Sequence, residues 1–217
     1  MAKPAVYYEG RRTDVIPFLP KQYTKVLEIG CGEGRFRKNL HEECEYWGVE
    51  PVKPIAEKAQ TVLDKVLIGT YDEVIDDIPD DYFDLVICND VIEHMVDHTF
   101  FYRTISKKVK PSAYMVGAIP NVRFLPNLYN LLRKKDWEYT EEGILDKTHL
   151  RFFTKKSIER DFKTYNFTIE EFNGINRIKY RWDSKSNILM NIFRLLMGDD
   201  TEFLQFGFRV KINKLDT

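Results

Sequence analysis

The chain has 217 residues, a length that suggests one domain. Hydrophobic residues make up 43% of it and charged residues 31%, so a packed core is possible and wholesale disorder is not expected. The formal net charge of -1 excludes the strongly basic balance that is typical of nucleic-acid-binding domains. Three scattered cysteines exclude a disulfide framework.

Targeting signals are the next feature. The first ten residues contain no apolar run, and the most apolar stretch, 188–197, is interrupted by Asn191 and Arg194. It is shorter than the roughly 20 residues that a membrane-spanning helix needs. We therefore expect neither a secretory signal nor a transmembrane segment, and the sparse cysteines favour a reducing, cytoplasmic location.

The pattern of apolar residues predicts strands that alternate with helices along the chain. The predicted strands cover residues 25–29, 46–49, 65–68, 83–88, 113–119, 167–172 and 207–212. The predicted helices cover residues 35–44, 54–64, 99–109 and 154–165. This alternation predicts an α/β fold with a doubly wound, mostly parallel sheet.

Two segments are too long for ordinary connections between such elements, namely 121–150 and 176–201. Insertions at strand ends commonly build pockets, so we expect these two to form a helical acceptor cap on a single domain spanning 1–217. Within the second, 184–197 is apolar over too wide an arc for an ordinary surface helix. The domain core, a homodimer partner and a lipid-like part of the acceptor are the three alternatives for what covers it.

A glycine-rich loop follows the first predicted strand and opens a helix. Gly30, Gly32 and Gly34 let the chain turn sharply and let a ligand approach the backbone. Glu50 ends the next strand, where a carboxylate accepts hydrogen bonds from ribose hydroxyls. Glycines, strand, helix and acid together predict a site for a ribose-bearing cofactor.

The residues around this loop discriminate between cofactors. A dinucleotide site requires G-x-G-x-x-G, but Arg35 stands at the sixth position. Glu28 lies two residues before the loop and would repel a pyrophosphate. An acid suits S-adenosylmethionine, which carries a sulfonium and an ammonium group and no phosphate. The electrostatics therefore favour S-adenosylmethionine over NAD.

Three segments together carry a family resemblance. Residues 26–34, 48–51 and 83–94 resemble the first motif, the ribose-binding motif and the strand-four motif of class I S-adenosylmethionine-dependent methyltransferases of the small-molecule branch. The resemblance covers roughly residues 7 to 119. It implies a Rossmann-like seven-stranded sheet, mostly parallel, with an antiparallel last strand.

The resemblance also implies which residues hold the cofactor. The methionine half would be bound beside the glycine loop and the end of strand four, and the N-terminal segment 1–24 would fold over it as a lid. Family members often have an acid where this chain has Thr70, and Asp72 is the candidate substitute. The implied cofactor-binding residues are Arg12, Glu28, Gly30, Cys31, Gly32, Glu50, Pro51, Thr70, Tyr71 and Asn89.

The second half is similar to methyltransferases of polysaccharide and glycan biosynthesis. Residues 119–121 and 148–154, together with Tyr7-Tyr8-x-x-x-Arg12, carry this similarity. It implies methyl transfer to a hydroxyl of a sugar or glycan precursor, with a nucleotide- or lipid-linked saccharide as the partner. A quinone, phenol or amine acceptor and a non-catalytic cofactor-binding module are the alternatives. The segment 89–92 lacks the Pro-Pro-aromatic pattern of enzymes that methylate nucleic-acid bases.

A sugar hydroxyl is a poor nucleophile, so the reaction needs a general base, and histidine is the usual one. His149 and His94 are the catalytic candidates, each with a local structural role as the alternative. Spacing along the chain gives no set of metal ligands. The acceptor-binding candidates are Tyr8, Asn121, Arg123 and Arg151.

Overall fold

A seven-stranded sheet organises the molecule. The computed structural model describes residues 12–178, Ile192 and residues 195–214. The strand order is β3-β2-β1-β4-β5-β7-β6, with the first five strands parallel and β7 antiparallel to both of its neighbours. This confirms the predicted Rossmann-like fold with an antiparallel last strand. The strands are β1 (Lys25–Ile29), β2 (Glu45–Glu50), β3 (Lys65–Ile68), β4 (Phe83–Asn89), β5 (Val109–Pro120), β6 (Phe167–Arg177) and β7 (Phe203–Ile212).

Five α-helices that lie wholly within the described ranges accompany the sheet. They are α1 (Lys53–Ala59), α2 (Tyr71–Val74), α3 (His98–Lys108), α4 (Leu125–Lys134) and α5 (Lys155–Thr164). The Thr154 side chain caps α5 by accepting the Ser157 N–H, as a helix start at Thr154 requires. The helix predicted over 54–64 is shorter than expected and ends at Ala59.

The helix predicted over 35–44 is wrong, because the structure has only a 3-10 helix at Arg35–Asn39. The guanidinium of Arg37 donates to the carbonyl oxygens of His41 and Glu42 at 2.7 and 2.6 Å. These bonds stabilise a turn after Asn39 and satisfy carbonyl groups outside a helix. The segment therefore turns into β2 instead of completing an α-helix.

The core lies on both faces of the sheet. Along β4, Val86 and Cys88 belong to one apolar cluster while Leu85 and Ile87 belong to the other. Such a strand, covered on both sides, reads as a continuous apolar run. Burial fixes the register of β4 against β1, and the ends of these strands then meet at one edge of the sheet.

The structure describes the two predicted insertions to different extents. Residues 121–150 contain α4, whereas 176–201 lies largely outside the described residues, as does Tyr8. Of the predicted apolar helix at 184–197, the structure describes only Ile192 and residues 195–197, which are helical and exposed. The single-domain boundaries, the lid role of 1–24 and the homodimer alternative stay predictions. In the described part of the chain, no helix has the length and apolar character that crossing a membrane requires.

Candidate active site

The loop after β1 is folded tightly against its neighbours. Gly30 and Gly32 have φ values of +70° and +54°, in the left-handed region that favours glycine. The N–H groups of Gly30 and Cys31 both donate to the Val49 carbonyl, at 2.8 and 3.1 Å. A Cβ on Gly30 would lie 2.6 Å from a Val91 methyl carbon. The loop therefore requires glycine at position 30 for both conformation and space.

The Glu50 carboxylate bridges two chain segments. Its Oε2 accepts the Gly32 N–H at 3.0 Å, and its Oε1 accepts the Val52 N–H at 3.0 Å. Burial raises the pKa of Glu50, while both N–H contacts favour its ionised form. Each carboxylate oxygen can accept more than one hydrogen bond, so both remain able to bind a ribose hydroxyl.

Glu28 lies deeper in the same wall. Its side chain is buried and accepts a hydrogen bond from the Tyr46 hydroxyl. Burial raises the pKa of Glu28 to about 8, although the Tyr46 contact opposes this shift. At neutral pH the carboxyl group is therefore mostly protonated when no cation is bound beside it.

Two adjoining cavities open at this edge of the sheet, each of about 320 Å³. They share four lining residues, Gly30, Pro51, Val91 and His94. Together they have the volume usual for a small-molecule site. All ten residues predicted to bind the cofactor line one or both cavities. Their individual contacts with a cofactor stay predictions.

The second cavity begins where β3 ends. The Thr70 N–H and hydroxyl group both donate to Glu73, at 2.8 and 2.9 Å. This pairing fixes the start of α2, so Thr70 faces the cavity as part of a helix cap. Tyr71 is buried and its hydroxyl pairs with Thr104 at 3.1 Å. Asp72 also lines this cavity, and its place near the adenine stays a prediction.

Arg12 closes the first cavity from the side of the N-terminal segment. Its guanidinium forms ion pairs with Asp90 and with Asp14, the latter at 3.1 Å. Asp90 has a φ of +52° and also accepts a hydrogen bond from Gln205. Arg12 thus ties the N-terminal segment to the ends of β4 and β7, with its charge already balanced by two carboxylates.

The two candidate histidines lie together, but only one reaches the cavities. His94 lines both cavities, and Thr148 lines the first. His149 is 8% exposed and lies behind His94, with ring centroids 4.6 Å apart. The adjacent Glu93 is 1% exposed, and its Oε1 lies 3.9 Å from His149 Nε2. The structure therefore brings residues 93 and 94 together with 149.

The other acceptor candidates have structural partners and do not line either cavity. Asn121 is fully buried and donates to the carbonyl groups of Asp200 and Phe203, at 2.8 and 2.9 Å. Arg123 pairs with Asp200 at 2.7 Å. Arg151 donates to backbone carbonyls between residues 92 and 96. These contacts stabilise the acceptor side, and direct acceptor binding by the three residues stays a prediction.

Some residues that shape the site were missed from the sequence. Tyr46 on β2 pairs with Val26 on the parallel strand β1. Glu28 comes two residues after Val26 on β1, so its side chain points to the same face of the sheet as that of Tyr46. That relation follows only once the register is known.

An aromatic group of Trp137, Tyr139 and Phe152 was also missed. It adjoins His149, whose ring centroid lies 6.3 Å from that of Phe152.

Comparisons with known proteins agree with this geometry. A family model described as a methyltransferase domain matches residues 7–171, so the chain belongs to that family. A ubiquinone biosynthesis O-methyltransferase from Rickettsia bellii is 24% identical over 180 residues, covering 78% of this chain and 73% of the relative. One from Azorhizobium caulinodans is 25% identical over 185 residues, covering 80% and 71%. The crystal structure of a SAM-dependent methyltransferase from Archaeoglobus fulgidus superposes with a TM-score of 0.62 at 22% identity, covering 93% of this chain and 91% of that one.

S-adenosylmethionine is therefore the cofactor, and the residues present fit it. Bare backbone at Gly30 and Gly32 leaves room for a ligand beside the loop. The buried carboxyl group of Glu28 suits a cationic ligand, and Glu50 offers two acceptor oxygens for hydroxyl groups. The cofactor supplies an activated methyl group on a sulfonium, which is a good leaving group.

The glycine loop is tested by Gly32→Ala. A side chain there strains a left-handed backbone, at a cost of about 1–2 kcal/mol, and shifts the N–H that Glu50 accepts. We expect S-adenosylhomocysteine to bind at least about tenfold more weakly in calorimetry. Gly143→Ala is the matched control, because Gly143 has a φ of +88° and an added Cβ there would lie in open space. Equal affinities of the two variants would contradict the assignment.

Glu28 predicts proton release when the cofactor binds. A cation beside the carboxyl group lowers its pKa from about 8, so up to about one proton leaves at pH 7. Calorimetry in buffers of different ionisation enthalpy measures this number. It should shrink as the pH rises above the raised pKa, where Glu28 is already ionised, and vanish in Glu28→Gln. Undiminished release from Glu28→Gln would contradict this role.

Proposed function

We propose that this methyltransferase transfers the methyl group of S-adenosylmethionine to a hydroxyl group of a small, flat acceptor, with a phenol as the favoured class. The observation that carries the proposal is the aromatic group beside His149, next to the residues that line the cofactor cavities. The similarity to ubiquinone biosynthesis O-methyltransferases supports the same acceptor class.

The reaction is a direct displacement. The acceptor oxygen attacks the methyl carbon from the side opposite the sulfur, so an O–C bond forms while the C–S bond breaks. The hydroxyl proton passes to solvent, directly or through the candidate base His94, and S-adenosylhomocysteine is the second product. The protein must hold the acceptor oxygen about 3 Å from the methyl group and in line with the departing sulfur.

Different residues of this chain would bind the cofactor, contact the acceptor and position the contacting side chain. Glu50 and the glycine loop would orient the adenosine, and Glu28 would bind the cationic half. His94 lies where the two cavities meet, so it is the candidate that touches the acceptor. His149 would act through His94 as a positioning residue, because its side chain is buried behind that ring.

The aromatic group gives the acceptor side its character. Trp137 and Phe152 meet edge to face with centroids 5.0 Å apart, and Tyr139 lies 6.3 Å from Phe152. Tyr139 is 54% exposed, so the group extends from the buried His149 to solvent. Such rings favour stacking with a flat, apolar acceptor. The sugar hydroxyl expected from the sequence stays a prediction, and none of the relatives named above supports it.

A screen of acceptor classes tests the proposal. Catechols, hydroquinones, amines and nucleotide-linked sugars would be offered with S-adenosylmethionine, and S-adenosylhomocysteine release would be the readout. We expect turnover with phenolic hydroxyls. Turnover only with sugars or amines would contradict the proposed acceptor class while leaving the methyltransferase activity intact.

Phe152→Ala tests the aromatic group directly. Loss of a stacking surface should raise the KM for the best phenol roughly tenfold and leave the affinity for S-adenosylhomocysteine unchanged. Tyr129→Ala is the control, because Tyr129 lies on α4 and contacts Arg133, outside the aromatic group. An unchanged KM in Phe152→Ala would show that acceptors bind elsewhere.

A further inference from the structure

We propose that Glu93, His94 and His149 hold a divalent transition-metal ion at the acceptor side of the cofactor cavities. The existence of this site stands on the geometry of the three side chains. Its role in catalysis rests on the proposed methyl transfer to a hydroxyl group. Spacing along the chain does not predict this metal site, because two ligands are adjacent and the third lies far along the chain.

The three side chains have the spacing of a ligand set. Each offers one ligand atom, and the three atoms all lie within 4.8 Å of one another. His149 Nε2 lies 3.9 Å from Glu93 Oε1. Metal–ligand bonds of about 2.1 Å place neighbouring ligand atoms about 3 to 3.5 Å apart. Small side-chain rotations would therefore close the set around an ion.

Both imidazoles are oriented for ligation. Nδ1 of His94 lies 3.0 Å from the Thr148 carbonyl oxygen, and Nδ1 of His149 lies 2.9 Å from the Ile144 carbonyl oxygen. A carbonyl oxygen only accepts, so each Nδ1 carries a proton, and the neutral form of each ring offers its Nε2 lone pair to an ion. Histidines that bind metals commonly donate their other ring N–H to a backbone carbonyl in this way.

The backbone holds the two ligand segments together. The Leu150 N–H donates to the Glu93 carbonyl at 2.9 Å. Arg151 donates to the carbonyl groups of Ile92 at 3.2 Å and Val96 at 3.0 Å, and also to that of Met95. The segment that carries Glu93 and His94 is therefore fixed to the segment that carries His149. A preformed ligand set of this kind loses little entropy when an ion binds.

The ligand chemistry selects the class of ion. Two imidazole nitrogens and one carboxylate oxygen suit Mn²⁺, Co²⁺ or Zn²⁺ better than Mg²⁺, which prefers oxygen ligands. A divalent cation would let the Glu93 carboxylate, 1% exposed, remain ionised. Three protein ligands leave coordination positions open for water or substrate, as in catalytic metal sites.

The location gives the ion a role. His94 lines both cavities, so an open position on the ion would face the acceptor. Bound there, the acceptor hydroxyl would lose its proton to solvent more readily, and the resulting oxygen would attack the methyl carbon. The need for a base is then met by the ion, with both histidines as its ligands.

Cobalt spectroscopy tests the site without relying on turnover. Protein stripped with a chelator would be titrated with Co²⁺, and we expect one equivalent to give a visible d–d absorption band. His149→Ala and Glu93→Gln should weaken Co²⁺ binding about 10- to 100-fold or abolish the band. His41→Ala is the control for adventitious binding, because His41 is an exposed histidine stacked on Tyr23.

Calorimetry with S-adenosylhomocysteine distinguishes failure of the metal site from failure of the proposed function. The variants should retain cofactor affinity, which shows that they are folded. Stripped wild-type protein that binds S-adenosylhomocysteine but takes up no Co²⁺ at millimolar concentration would overturn the metal site and leave the proposed function standing. Equal Co²⁺ affinity in wild type, His149→Ala and Glu93→Gln would also overturn it. A cobalt band in protein that binds no cofactor would instead count against the proposed function.

Discussion

The contact on which the site depends is the bridge from the Glu50 carboxylate to the backbone of Gly32 and Val52. One oxygen holds the loop after β1 and the other holds the turn into α1. β1 and β2 are neighbouring parallel strands, so their carboxyl ends lie side by side and bring these groups together. The carboxylate thereby stabilises the loop conformation and remains available to a ligand. Both cavities are built around this corner of the sheet.

Much of the fold was predictable because the signals are local. The apolar run of β4 predicts a buried strand, and the glycines after β1 predict a tight loop, each from a few neighbouring residues. The helix predicted over 35–44 failed because Arg37 binds carbonyl groups further along the chain, which propensity does not encode. The pairing of Tyr46 with Glu28 likewise depends on strand register.

The acceptor side was harder to predict because its residues act through the backbone. Asn121 and Arg151 stand out in the sequence as ligand-binding types, yet both bind carbonyl groups and fix loops. His94 and His149 were identified as candidates, but not the contact that joins them to Glu93. That contact exists because residue 150 pairs with residue 93 across a long stretch of chain. Sequence spacing cannot reveal such a meeting.

Calorimetric titration of the wild-type protein and Glu50→Gln with S-adenosylmethionine tests the central claim most directly. An amide at position 50 would turn an N–H toward the Gly32 or Val52 N–H and lose an acceptor for ribose. The account predicts one saturable site in wild type and affinity at least about tenfold lower in the variant. No binding by wild type at millimolar concentration, or equal affinity in Glu50→Gln, would contradict it.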